Sequence, residues 1–260
     1  MKSTTAGTTG ISFELQDGVA VVTLALAQPK NAFRSADARQ LGLRLQQARD
    51  EGARCLVLRG TPVFSAGWDV ASIDAAADDP MAMIGGVVAP LCRQLRELPL
   101  PTIAAVAGPA LGFGFGLAMC CDIVLAEASA LLGSPFRNLG MVPDTGTHHF
   151  LLTRLGYARA AELIYTGRLL SGAEAAQMGL VNRSVADGSV VDEALQLAAR
   201  VASGPTVAFA LSKRILQTGG DFDAVVAQEG RALHECFATA DLREGLAAFV
   251  QRRAPRFTGR

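Results

Sequence analysis

The sequence predicts an α/β protein: a layered core of alternating strands and helices, followed by an all-helical C-terminal piece. Three observations carry this. Half of the 260 residues are hydrophobic, enough to bury one substantial core. Short apolar runs of strand length alternate with helical periods as far as "GLVNRSV", near residue 185, the succession that builds layered α/β domains. From Asp187 onward only helical periods remain, broken by Gly-Pro and Gly-Gly. The expected organisation is a tail at 1–10, a core at 11–186 and a helical region at 187–260.

Taken in order, "ISFELQDGVAVVTLAL" reads as two alternating strands around Asp17-Gly18, a dipeptide suited to a tight hairpin. Ser35 is expected to cap the amphipathic helix "ADARQLGLRLQQARDE", after which "ARCLVLRG" is a short buried strand. "PVFSAGWDVASI" reads as a loop entering a turn of helix, and residues 80–97 as helix. "LPTIAAVAG" is a strand after a Pro-Leu-Pro break, residues 113–120 form a helix, and "DIVLAE" is the next strand. The uncharged stretch from Ile103 to Cys121 is long enough for a membrane span. Pro109, four glycines and the closing Asp122 favour a strand, a turn and a short buried helix instead. The C-terminal helices are "SVVDEALQLAARVAS", "PTVAFALSKRILQTG", "DFDAVVAQEGRALHECFAT" and "DLREGLAAFVQRR". A helical piece of this kind is mobile or packs on a neighbouring subunit.

Charge excludes some partners. Lysine plus arginine equals aspartate plus glutamate at 24 each, so no global field recruits nucleic acid or an anionic membrane. The five cysteines are odd in number and lack CxxC spacing, which suits buried, reduced thiols in a cytoplasmic protein. "MKSTTAGTTG" has no apolar segment of the signal-peptide kind and reads as a frayed tail.

Several motifs fail on inspection. "GFGFGL" has Leu117 where a dinucleotide-binding GxGxxG needs its third glycine. "VFSAG" puts Val63 at the first glycine of a nucleophile elbow, leaving Ser65 a structural residue. "HECFA" lacks the second histidine of a zincin helix, and the other histidines are the pair His148 and His149, so no metal site is expected. What survives is a helix N-terminus of small residues. Glycines 112, 114 and 116 allow close approach of a ligand, and the free amides of the first helical turn suit a developing oxyanion.

The segments "FSAGWDV", "LPTIAAVAGPALGFGFGLAMCCDIVLAEASALLGSPFRNLGMVPDTGT", "AAELIYTGRLLSGAEAAQMGLVNRSV" and "REGLAAFVQRRAPRF" come in a fixed order. Together they resemble the crotonase superfamily of enoyl-CoA hydratases and isomerases. The resemblance implies a crotonase-like spiral of ββα units with a helical C-terminal trimerisation region, assembled as homotrimers or pairs of trimers. It implies an acyl-CoA thioester as substrate, with no tightly bound cofactor. Two main-chain amides would meet the thioester oxygen, those of Trp68 and Phe113, with Gly112 beside them.

A carboxylate must then move a proton. The resemblance implies two glutamates in the hydratases of this superfamily. Their positions fall here on Gly116, where hydratases have GGGCEL, and on Phe136, where they have a QPE segment. A different acid stands in "LGMVPDTGT", at Asp144, the place that carries the single acid of the ring-1,2-epoxyphenylacetyl-CoA isomerases and certain 3-enoyl-CoA isomerases. Phe136, Met141 and Val142 are expected to desolvate it and raise its pKa. Turn or helix-capping duty is the other reading of Asp144, and His148 reads as a surface or outlying histidine. The same position matches the nucleophile of 4-chlorobenzoyl-CoA dehalogenase, but the histidine base and tryptophan of that enzyme are missing here.

By resemblance, main-chain groups of Ser65, Ala66 and Asp69 would meet the adenine. Lys30, Arg34, Arg252 and Arg253 offer cations to the phosphates. Phe113, Phe115, Phe136 and Trp68 hint at an aromatic or bulky acyl group. The expected function is an acyl-CoA isomerase working through a thioester enolate. A 2-enoyl-CoA hydratase and a non-catalytic acyl-CoA-binding paralogue are the alternatives.

Overall fold

The computed structural model describes residues 10–260. The expected frayed tail lies outside the described residues except for Gly10, which already belongs to the first strand. Strands β1 (Gly10–Gln16) and β2 (Val19–Ala25) pair antiparallel across the Asp17-Gly18 turn. Both turn residues have positive φ, 50° and 78°, as the expected hairpin requires.

Helix α1 (Ser35–Asp50) follows. Ser35 is its first helical residue, and the cap position belongs to Arg34 at φ −116°. The Arg34 main-chain N–H donates to the Asp37 carboxylate at 2.8 Å, and the side-chain cap expected of Ser35 is not formed.

Strand β3 (Cys55–Gly60) leads through the 64–72 loop to α2 (Pro80–Met83), a π-helical turn at Ile84–Val88, and α3 (Ala89–Glu97). Then come β4 (Thr102–Val106), β5 (Pro109–Leu111) and α4 (Phe113–Cys120). The sequence-predicted limits of α4 hold: glycine opens it, and Asp122 beyond its end accepts from Thr102 N and Oγ1 at 2.8 and 2.9 Å. The next unit repeats the order, with β6 (Ile123–Glu127), β7 (Leu131–Gly133), α5 (Thr147–Leu155) and α6 (Tyr157–Thr166). Strand β8 (Leu170–Ser171), α7 (Gly172–Gln177) and β9 (Arg183–Val185) complete the sheets.

The larger sheet has the order β1-β2-β3-β4-β6-β9, parallel after the first pair, and β5-β7-β8 form a smaller one. From β4 onward the chain adds a strand to each sheet in turn, β4 and β5, β6 and β7, then β8 and β9, with helices between them. Side-chain alternation divides the core. Leu56, Leu58, Ala104 and Val106 face the main cluster with Phe64, Leu91 and Phe115. Cys55, Val57, Ile103 and Ala105 face the other side.

That second face is covered by α8 (Val190–Ala202), through Val190, Ala194, Ala198 and Ala202 at four-residue spacing. Small side chains on this stripe let the helix lie close to the sheet. Thus α8, inside the stretch expected as a trimerisation region, is itself part of the sheet's packing.

Helices α9 (Thr206–Thr218), α10 (Phe222–Phe237) and α11 (Ala240–Val250) follow. Lys213 fastens α9 to the core: its ammonium lies 2.8 Å from Asp122 and donates to the Leu100 carbonyl at 3.1 Å. Beyond it α10 and α11 leave Phe222, Phe237, Phe249 and Val250 exposed.

All five cysteines are free thiols. Burial pushes those of Cys55 and Cys121 up to about 12. Among the described residues no single helix is long and apolar enough to cross a membrane. The stretch from Ile103 to Cys121 is the expected strand, turn and buried helix.

Candidate active site

A cavity of about 440 Å³ opens between the 64–72 loop, the start of α4, the π-helical turn and the 135–144 segment. Trp68, Gly112, Phe113, Phe136, Met141, Val142 and Asp144 all line it. Asp144 is the one carboxylate among the described lining residues.

The main chain at Trp68 is aimed by a short parallel bridge to Phe33. Phe33 N–H donates to Gly67 O at 2.7 Å, and Asp69 N–H donates to Phe33 O at 2.9 Å. In such a bridge the middle residue turns its own N–H the other way. The Phe113 N–H is the first of helix α4 and has no intrahelical partner. Among the described residues neither amide donates to a protein acceptor.

The two are close neighbours, for a Cβ built on Gly67 would lie 3.4 Å from the Phe113 nitrogen. Gly67 has φ +101° and Gly112 has φ +51° with ψ −116°, conformations that glycine alone adopts without strain. At Gly112 a Cβ would also lie 2.9 Å from the Phe136 ring. The positive end of α4 adds its dipole to the pair.

Behind the loop sits a buried polar knot that the sequence reading missed. Asn31 is 2% exposed. Its Oδ1 accepts from Leu26 N–H at 2.7 Å, and its Nδ2 donates to Val63 O at 2.7 Å and Leu24 O at 3.0 Å. The Ser65 hydroxyl donates to Asn31 O at 2.7 Å and accepts from Gly67 N–H at 3.0 Å. The available signal was an asparagine within "PKNAF", since Asn tolerates the left-handed φ of 53° found there.

Asp144 is half-buried, and its Oδ1 accepts the Thr145 hydroxyl at 2.7 Å. Burial raises its pKa above the ordinary 3.8, and the Thr145 hydrogen bond works in the opposite direction. Its carboxylate does not cap α5: the cap residue is Gly146, and Asp144 contributes only its main-chain oxygen, to Thr147 N–H at 3.0 Å. His148 is exposed.

Of the two places where the resemblance puts hydratase glutamates, the one at Gly116 is closed. A Cβ at Gly116 would run into the Thr145 side chain and lie 2.6 Å from its carbonyl oxygen. At the other place the Phe136 ring covers Gly112.

Several expectations need correction. Ser65 is fully buried, its N–H donates to Pro109 O at 2.9 Å and its carbonyl accepts from Leu111 N–H at 3.0 Å, so it buttresses the loop and its main chain is not presented to a ligand. Asp69 likewise spends its N–H on Phe33 and its carbonyl on Ser72. Of that trio Ala66 alone lines the cavity. Arg34 lies near the loop, but its guanidinium is tied to the Asp69 carboxylate at 2.7 Å. Lys30 is exposed beside it, its carbonyl accepting Ala66 N–H at 2.8 Å.

The C-terminal pair does not reach this cavity: Arg253 is held by Glu244 at 2.6 Å, and Arg252 follows α11 on the surface. Phe115 is a core residue packed away from the cavity, since two residues along α4 from Phe113 turn its side chain to the opposite side of the helix. The Phe113 ring is buried too, 5.0 Å from Phe33 and 5.2 Å from Trp68 between centroids, so its contribution to the cavity is chiefly main chain. Among the described residues no cluster of three metal-ligating side chains occurs.

Comparison with known proteins places this geometry. A family model described as enoyl-CoA hydratase/isomerase matches residues 14–260. A probable enoyl-CoA hydratase of Rhodobacter capsulatus is 35% identical over 96% of this chain and 98% of its own length. A 1,2-epoxyphenylacetyl-CoA isomerase of Escherichia coli is 35% identical over 95% of this chain and 97% of its own. A crystal structure of an enoyl-CoA hydratase subunit from Geobacillus kaustophilus superposes with a TM-score of 0.89, at 34% identity, over 96% and 98% of the two chains.

Proposed function

Because this chain belongs to the enoyl-CoA hydratase/isomerase family and has the crotonase fold, we propose that it binds an acyl-CoA thioester and isomerises it with Asp144 as a single proton shuttle. The observation that carries this reading is the acid inventory of the cavity. Asp144 is its one described carboxylate, and Thr145 fills the place beside Gly116.

In the proposed reaction the Asp144 carboxylate takes a proton from a carbon conjugated with the thioester. The electron pair moves onto the thioester oxygen, and the enolate is held by the Trp68 and Phe113 amides. Two preorganised donors contribute about 3 kcal/mol each to such a charge. Asp144 then returns the proton to a different carbon, shifting a double bond or completing a ring rearrangement, with no added water and no tightly bound cofactor. The partial burial of Asp144 supports this role, because it raises the carboxylate's pKa and makes it a stronger base. Phe136 lines the cavity beside it, whereas Met141 and Val142, expected to desolvate it, are themselves 41% and 77% exposed.

Gly112 admits the thioester against the main chain, and Phe136 borders the acyl group. CoA would run along Ala66, whose N–H donates to the carbonyl of exposed Lys30, and the Lys30 ammonium would offer a cation to its phosphates. Exposed Phe222, Phe237 and Phe249 on the last two helices support assembly into trimers or pairs of trimers.

Hydration of a 2-enoyl-CoA is the second reading, favoured by the name of the Rhodobacter capsulatus relative. The test is mass spectrometry of straight-chain 2- and 3-enoyl-CoAs and ring-derived acyl-CoAs incubated with the protein in deuterated water. A shifted double bond without added water supports the isomerase, and deuterium gained at carbon reports exchange of the Asp144 proton with solvent before its return. Water added to crotonyl-CoA supports the hydratase, and binding with neither change supports a non-catalytic paralogue.

A further inference from the structure

Thr145 is a residue whose local conformation runs against its chemistry. It is β-branched, 5% exposed, and sits at φ +54°, a region that branched side chains rarely occupy. Pro143 stands two residues before it, Gly146 follows at φ +76°, and the fully buried Thr147 anchors the start of α5. Alanine, serine or glycine would meet less opposition at this φ and would pack as readily. Strained residues held by their surroundings cluster at functional sites.

What the conformation achieves is visible in the hydrogen bonding. The Thr145 hydroxyl donates to Asp144 Oδ1 at 2.7 Å, the one side-chain hydrogen bond to that carboxylate among the described residues, with the Asp144 main-chain amide acting beside it. One oxygen is therefore held by a side chain, in a carboxylate that borders the cavity. The threonine methyl is wedged against Gly116, which removes the rotational freedom a serine hydroxyl would keep at that place.

We propose that Thr145 is a positioning residue for proton transfer: its hydroxyl clamps one oxygen of Asp144 in a single orientation and leaves the other to work on the substrate carbon. The proposal rests on the reading of Asp144 as the shuttle and adds to it the group that aims it. A shuttle that serves two carbons needs its free oxygen fixed between them, and a carboxylate free to rotate loses that alignment.

The experiment compares wild type with Thr145→Val, Thr145→Ala and Thr145→Ser. The readout is deuterium exchange into the acyl-CoA that the wild type turns over, followed across pH, with thermal melting of each variant. Valine keeps the shape and removes the donor. Exchange is expected to fall about 10- to 100-fold, the worth of a hydrogen bond to a charged group, with KM changed by less than about twofold and the acid limb of the pH profile moved upward. Serine is expected to restore most of the rate and return the limb to its wild-type position. Alanine covers the case in which valine fails to fold, with the same loss expected.

Wild-type rate and an unmoved limb in folded Thr145→Val or Thr145→Ala would overturn the proposal while leaving the Asp144 reading intact. A wild type that neither isomerises any of these thioesters nor exchanges deuterium with them would remove the Asp144 reading and this proposal with it.

Discussion

The Ser65 hydroxyl donates to the Asn31 carbonyl at 2.7 Å while its oxygen receives the Gly67 N–H at 3.0 Å. One side chain thereby ties the buried knot around Asn31 to the peptide that precedes the Trp68 donor. Ser65→Ala should leave the buried Gly67 N–H without a partner, at a cost of about 1–3 kcal/mol. The melting temperature should fall and turnover should drop with little change in acyl-CoA affinity. Calorimetry together with steady-state kinetics checks both.

Asp144→Asn should abolish most proton transfer, by about 10²- to 10⁴-fold, while the thioester still binds. Asparagine keeps the size and can accept the Thr145 hydroxyl, so a loss of rate here reports the missing base. Isothermal titration with a substrate analogue separates binding from exchange.

The raised pKa of Asp144 makes two further statements. As a base it is active when ionised, so the acid limb of kcat/KM should lie above pH 3.8. For stability the sign runs the other way: a carboxyl whose folded pKa lies above its unfolded value favours folding while protonated, and that contribution is lost as pH rises through the folded pKa. Asp144→Asn should therefore melt higher than wild type at neutral pH. The gap should shrink as pH falls through the raised pKa of Asp144 and be gone below the ordinary 3.8, which a series of thermal melts from neutral to acid would follow.

Gly116→Glu should not create a hydratase. The new side chain meets Thr145 at its first carbon, so the variant should be destabilised by more than the roughly 1–3 kcal/mol typical of overpacking, and water addition to crotonyl-CoA should not appear. Soluble yield, melting temperature and a hydration assay decide it.

Lys213→Met should separate α9 from the sheet. Removing the ammonium leaves the Asp122 carboxylate, 26% exposed, without its cation and the Leu100 carbonyl without its donor. The expected loss is about 3 kcal/mol. Chemical denaturation would measure it, and proteolysis should cut first in the C-terminal helices.

Much of the frame was legible in the sequence because local rules decide it. Asp17-Gly18 announces a turn with two positive φ values, and the limits of α4 follow from a glycine opening and a closing Asp122. The family motifs led to Trp68, Phe113, Phe136 and Asp144, and the fold brings all four to one cavity. Illegible features were those made by contacts distant along the chain. Whether Ser65 and Asp69 present their main chains depends on Pro109, Leu111 and Phe33, and no local pattern reports those partners. Phe115 and Phe113 look alike in "GFGFGL", yet two residues along a helix is a rotation of about 200°, which takes one side chain into the core and leaves the other's amide at the opening. The meeting of Gly116 with Thr145 joins residues on two different elements, and the threonine gives no sign of it alone.

In the proposed reaction the oxyanion donors are peptide N–H groups, set by the Phe33 bridge and the start of α4. A gene can therefore exchange the codons for Trp68 or Phe113 and still transmit both donors, because the fold carries them and the side chain does not. The base has no such protection, since a single nucleotide change turns aspartate into asparagine. Within one lineage the capacity to steady an enolate is thus inherited conservatively, while the use made of that enolate can be rewritten at position 144 and its neighbour.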